Sequence, residues 1–143
     1  MFNNYRKIKH NGNGWISAVI IYLSYLERKY NSKFLKILRL FIWQHTLCLK
    51  IPPTSFSLES LLTLRIVHPF MIIINGGCKI GKNWTIYHDV TLGSIETKSN
   101  EAPIIMDDVY LGCKCSVLGN VIVGEGCLIG AHSLILHNTP ILL

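Results

Sequence analysis

A parallel β-helix of six-residue steps, mainly β in content and preceded by an α-helical segment, is the fold class this sequence predicts. Three observations carry it. Ile74, Ile80, Ile86 and Leu92 are spaced by six, and after a gap of thirteen the spacing resumes through Ile105, Leu111, Val117, Val123, Ile129, Ile135 and Ile141. The residue after the aliphatic is often glycine (Gly81, Gly93, Gly112, Gly124, Gly130). The fourth after it is usually small or β-branched (Cys78, Val90, Val109, Cys115, Val121, Cys127, Ser133). Residues 15–48 lack this period and almost all glycine and proline.

A period of six fits neither an amphipathic helix nor, alone, a strand alternating every second residue. It fits a coil of three short strands, each sending one aliphatic inward, with a turn at every corner where glycine and polar residues tolerate the bend. Stacked coils then bury one continuous core. Residues 74–92 and 105–140 are expected to form such coils. Between Leu92 and Ile105 the register breaks across a polar stretch, Gly93 to Pro103, which reads as a loop leaving the prism. Loops on a rigid scaffold are where ligands are commonly bound.

Upstream, Phe34, Leu35, Leu38, Phe41 and Ile42 recur at helical spacing, and two helices are expected, about 15–30 and 33–48, broken near Asn31-Ser32. Ile51-Pro52-Pro53 ends the helical part. Two units follow: a helical segment over 1–50 and a β-helix over 51–143, its first stretch, 51–73, an irregular coil.

The net charge of +6 is concentrated in the first fifty residues, which hold nine Lys and Arg against one acid, Glu27. Such a segment suits an anionic membrane surface, an anionic small molecule or a solvated helix face. No nucleic-acid-binding motif accompanies it, so no nucleic acid is expected. The apolar run Trp15–Leu26 is too short to span a bilayer, which needs about twenty residues, but an amphipathic helix resting on a membrane stays open. Five cysteines without a secretory signal fit a reduced, cytoplasmic setting. Cys113 and Cys115 lack partners at zinc spacing, and no metal is expected.

The run Ile51-Pro-Pro, Val67-His68-Pro69-Phe70-Met71-Ile72-Ile73-Ile74-Asn75, Ile80-Gly-Lys-Asn, Val90-Thr91-Leu92-Gly93 and Ala102-Pro103-Ile104-Ile105 resembles the hexapeptide-repeat acyltransferases. More narrowly, it resembles the serine acetyltransferases and their short relatives that O-acetylate polysaccharide precursors. The resemblance covers about residues 51–140. It implies a left-handed β-helix, a homotrimer with active sites between neighbouring prisms, acetyl-CoA as the acetyl donor, and serine or a sugar as the hydroxyl acceptor. His68 falls at the position of the general base; an imidazole titrates near working pH. His88, at a corner of the Ile86 hexad, is a second candidate or a surface corner. Glu101 contacts the acceptor, orients His68 or is an exposed loop carboxylate. Gly93, Gly112, Gly130 and Ala131 sit where the family lets CoA approach the backbone, though turn geometry alone would also explain them. His10, His45, His132 and His137 are expected to be structural or exposed.

The sequence departs from the family in three places. Val67 stands where aspartate commonly precedes the histidine, and Met71 where glycine is common. Ala102 replaces a second histidine. The chain also stops at Thr139-Pro-Ile-Leu-Leu, where the family continues into a segment that helps close the CoA site. Two readings follow: an O-acetyltransferase completed by the neighbouring subunit, or a truncated, inactive β-helix trimer serving as an assembly protein.

Overall fold

A computed structural model describes residues 2–95 and 101–140. Residues 96–100 of the expected loop, the last expected inward aliphatic, Ile141, and the side chains of Ile42 and His45 lie outside the described residues.

Among the described residues, eleven strands of two or three residues run from β1 (Arg65–Ile66) to β11 (Leu134–Ile135) and stack in parallel, in register, as three sheets. Sheet A contains β2 (Ile73–Ile74), β5 (Thr91–Gly93), β8 (Ser116–Leu118) and β11. Sheet B contains β3 (Lys79–Ile80), β6 (Ile104–Ile105) and β9 (Ile122–Val123). Sheet C contains β1, β4 (Thr85–Ile86), β7 (Tyr110–Leu111) and β10 (Leu128–Ile129). The chain visits A, B and C in turn, as the hexads require. Ile74, Ile86, Leu92, Ile105, Leu111, Val117 and Val123 are all buried, and so are the small residues four later, including Cys78, Val90, Val109 and Cys115. From β2 to β10 each strand therefore contributes one buried inward aliphatic, whereas Ile135 of β11, in the last coil, is half-buried.

The corners share a backbone device. Asn83, Asp89, Asp108, Lys114, Gly126 and His132 each sit three residues after an inward aliphatic, and each has positive φ. That left-handed step turns the chain by a third of a circuit. It suits Asn, Asp and Gly, and here it is also imposed on Lys114 and His132.

The stretch expected to be irregular is a paired first coil. Lys50 bridges Ile73 on sheet A, Phe56 bridges Ile80 on sheet B, and β1 opens sheet C. The hexad pattern fails there because α4 (Leu58–Thr63) replaces one turn. Ser57 caps it by accepting from the Ser60 amide. Beneath it, fully buried Trp84 packs on Phe56 with ring centroids 5.7 Å apart. At the other end, Thr139 bridges Val123, and Asn138 accepts from the Ile122 amide. The loop after β5 is inserted between sheets A and B, so the thirteen-residue gap leaves the coils stacked in register.

The helical part contains α1 (Phe2–His10), α2 (Trp15–Tyr30) and α3 (Lys33–Thr46). The last two meet the sequence expectation, with Asn31 in the left-handed region at φ 48 closing α2 and Ser32 capping α3. α1 was not foreseen, since most of its residues are polar. Its contribution to the core is Ile8, which is fully buried. Buried Asn13 ties helices to prism: its amide nitrogen donates to the Ile8 and Leu64 carbonyls, and its oxygen accepts from the Ile66 amide at 2.8 Å. One hydrophobic cluster consequently runs from Ile8 to Ile129.

Candidate active site at the lengthened corner

Sheets C and A meet at a stack of corners. Six residues separate the inward aliphatics there in three coils (Ile86 to Leu92, Leu111 to Val117, Ile129 to Ile135), but eight separate Ile66 from Ile74. The first corner thus carries two extra residues, and His68 lies within it. Pro69 follows, and a tight turn closes with the Phe70 amide donating to the His68 carbonyl at 3.0 Å. The imidazole is exposed in consequence, above the next coil rather than within the stack.

The neighbours come from that next coil. His88 lies with its ring centroid 5.6 Å from that of His68, and Tyr87 at 6.0 Å. Phe70 and His88, eighteen residues apart, stack at 4.8 Å with an interplanar angle of 21°. Eighteen is three hexads, so the period by itself places them at one corner of adjacent coils. The aromatic surround of Phe70, Tyr87 and Tyr110 was missed by sequence reasoning, and this eighteen-residue spacing is the signal that could have found its Phe70–His88 part. Tyr110 lies 5.4 Å from Tyr87. Its phenol ionises above the usual range, chiefly through its hydrogen bond with Tyr87 and secondarily through desolvation.

His88 is half-buried, and its buried Nδ1 has no hydrogen-bond partner. A buried polar atom without a partner is costly, and such atoms concentrate at sites that receive a ligand. Met71 ends the corner at φ 56, stacked under Asp89, whose amide donates to the Phe70 carbonyl. The left-handed conformation accounts for a glycine preference at this position. Here it is met by methionine, held by its amide bond to the Leu47 carbonyl at 3.0 Å.

The other sequence candidates are distributed differently. Half-buried Glu101 ends the loop between sheets A and B, at a different corner from His68 and His88. Gly112, Gly130 and Ala131 lie on the C-to-A corner, two and three coils beyond His68, whereas Gly93 ends β5 near the loop. Gly112 is buried, and a Cβ there would lie 2.7 Å from the Ala131 nitrogen and 2.9 Å from the Gly130 carbonyl carbon. Coil stacking accounts for this glycine. At Gly93 a Cβ would meet only the Leu118 and Thr91 side chains, at 3.5 and 3.9 Å, and Gly130 and Ala131 are exposed. His10, His132 and His137 are exposed. Among the described residues no group of three or more His, Cys, Asp or Glu side chains could hold a metal ion, and no helix is long and apolar enough to cross a membrane.

The family model described as "Bacterial transferase hexapeptide (six repeats)" matches residues 102–137. The chain is 41% identical over 74 residues to the serine acetyltransferase of Bacillus subtilis and 40% identical over 75 residues to that of Buchnera aphidicola, in each case across 51% of this chain. It spans about a third of the length of these curated relatives, 34% and 29%. Among solved structures, Neisseria gonorrhoeae serine acetyltransferase in complex with serine aligns with a TM-score of 0.62 at 25% identity, over 87% of this chain and 48% of that one. Soybean serine acetyltransferase complexed with serine aligns with a TM-score of 0.70 at 23% identity, over 87% and 51%. The stacked hexads of this chain therefore form a left-handed parallel β-helix, matched over residues 102–137 by the bacterial-transferase hexapeptide model and similar in sequence and in fold to the serine acetyltransferases.

Proposed function

We propose that this chain is an acetyl-CoA-dependent O-acetyltransferase that uses His68 as general base on the hydroxyl of serine or of a sugar, and that it works as a homotrimer. The observation that supports it most is the pair of imidazoles, His68 and His88, 5.6 Å apart at the lengthened C-to-A corner of a hexapeptide prism. The similarity to serine acetyltransferases makes serine the first acceptor to test.

A hydroxyl is a poor nucleophile near neutral pH. Neutral His68, exposed at the corner, accepts its proton as the oxygen attacks the thioester carbonyl, and the new C–O bond leaves an oxyanion on the tetrahedral carbon. Collapse of that intermediate breaks the C–S bond. The proton held by His68 passes to the departing thiolate, giving the acetyl ester and free CoA thiol. His88, with its unpartnered Nδ1, stands behind as a polar contact for acceptor or oxyanion. The exposed backbone at Gly130 and Ala131, and at Gly93 a half-buried position where a Cβ would meet only side chains, suit a close approach by CoA.

The distribution of residues favours a trimer. Glu101 cannot serve the His68 of its own chain from another corner, but around a threefold axis one prism's corner faces its neighbour's. The outward faces also present Ile73, Ile122, Leu128 and Leu134, which are 41–67% exposed in the single chain. Thiol release from acetyl-CoA, measured against serine and a panel of sugars with the parent and His68→Ala, tests the reading. Acceptor-dependent release lost in the variant is expected; no release with any acceptor would sink the enzyme assignment.

A further inference from the structure

Helix α3 has two distinct faces. One carries Trp43 and the ion-paired Arg39, which are buried against the rest of the molecule. The opposite side carries Phe34 and Ile37, three residues apart and 72% and 66% exposed, with Phe41 one turn further at 72%. Helix α2 repeats the pattern. Its Ser17, Ala18, Ile20, Ile21 and Ser24 face inward, while Trp15 and Tyr30 stand 67% and 56% exposed on the other side. Helical spacing puts Ile16 and Val19 on that same outer side, each 38% exposed. Solvated helices do not ordinarily present aromatic and aliphatic residues in a stripe, and an exposed stripe of this kind marks an interaction surface.

The charge around the stripes identifies what covers them. The only acid in the first fifty residues, Glu27, is consumed internally: Arg39 Nε donates to its carboxylate at 2.6 Å, with both side chains nearly buried. The remaining cations, including Arg28, Lys29, Lys33 and Lys36, are exposed, with Lys29 Nζ lying over the Tyr30 ring at 5.3 Å, and α2 and α3 hold no second acid to balance them. Lys33 and Lys36 flank Phe34 and Ile37 on the same outer half of α3. A second copy of the chain would bring like charge against like charge at this face, whereas an anionic bilayer supplies both complementary charge and an acyl boundary for the rings. At fourteen and sixteen residues, neither helix is built to cross.

We infer that α2 and α3 form an interfacial anchor, lying on an anionic lipid surface with Trp15, Tyr30, Phe34 and Ile37 at the acyl boundary and the lysines at the headgroups. The inference is independent of the acetyl-transfer reading. The full chain should float with vesicles of phosphatidylcholine containing about a third phosphatidylglycerol, should not float with phosphatidylcholine alone, and should be released by high salt. K33Q/K36Q should weaken the partition by roughly thirtyfold, about fivefold per cation. F34S/I37S should weaken it as well, and both variants should melt like the parent because the four side chains are exposed. Absence of flotation with anionic vesicles at low salt would overturn the inference. So would F34S/I37S that floats like the parent, or that floats unchanged while losing self-association in light scattering, which would make the stripe an interface between copies.

Discussion

Replacing Gly112 by alanine tests whether coil stacking, rather than ligand approach, dictates the glycines of the prism. The added Cβ would lie 2.7 Å from Ala131 N, 2.9 Å from Gly130 C and 3.0 Å from Ile129 O. All three are backbone atoms of the next coil, fixed by the β7–β10 ladder and by the Gly112 amide bond to the Ile129 carbonyl at 2.9 Å. None can rotate away as a side-chain tip could. The coils must therefore separate locally, and overpacking of this kind costs about 3 kcal/mol, the upper end of the usual range. At about 2–4 °C per kcal/mol for a chain of this size, the melting midpoint should fall by roughly 6–12 °C. Gly93→Ala is the matched control. Its Cβ meets only side chains at 3.5 Å and beyond, so it should melt at or slightly above the parent, by about 0.4–1 kcal/mol from a stiffer unfolded chain. If CoA runs past Gly93, this second variant should instead raise KM for acetyl-CoA. Thermal unfolding followed by circular dichroism, with KM measured in parallel, separates the two. A Gly112→Ala protein that melts like the parent would refute the stacking argument.

His68→Ala should lower acetyl transfer by about 10²–10⁴-fold, the ordinary contribution of a positioned base, with little change in melting because the side chain is exposed; a variant that melts like the parent but keeps more than about a tenth of its turnover would move the search to His88. Met71→Gly should stabilise by about 0.5–1 kcal/mol, since relief of the left-handed conformation outweighs glycine's greater entropy loss and the methionine is half exposed; a lower melting midpoint would contradict it. Burial pushes the Cys78 thiol up to about 11 and the Cys115 thiol up to about 12. Unfolded, these thiols lose their protons at lower pH, near 9, so the folded state binds more protons above that value and stability falls as pH rises. The stabilisation is intact below about pH 9 and is lost across pH 9–12, by about 1.4 kcal/mol per pH unit per thiol. Denaturant midpoints between pH 8 and 11 should decline less steeply in Cys78→Ala/Cys115→Ala, and equal slopes would refute the linkage.

The period of six, by itself, determined the prism. Ile74, Leu92, Leu111 and Val117 had to share one interior because no other arrangement buries residues at that spacing on one side, and the polar residues after Gly93 mark where that period breaks. Helices α2 and α3 were equally legible, as their apolar residues recur at 3.6 and Asn31-Ser32 provides a cap on each side. What failed in the sequence failed where local pattern was overridden by packing. α1 is short and mostly polar, with only Tyr5 and Ile8 as a narrow apolar edge, and α4 interrupts the hexads, so the pairing of Lys50 and Phe56 into a first coil came from contact with Ile73 and Ile80 and not from any repeat. The resemblance pointed to His68, and the spacing of Phe70 and His88 implied a shared corner. Only the folded chain showed that two inserted residues lift His68 over His88, that His88 carries an unpartnered nitrogen, and that Glu101 belongs to a different edge of the prism. Periodicity fixes which residues face inward, because burial is decided strand by strand. Distances across a corner depend on how successive coils stack and on how many residues each turn holds, and those are properties of the assembled solenoid.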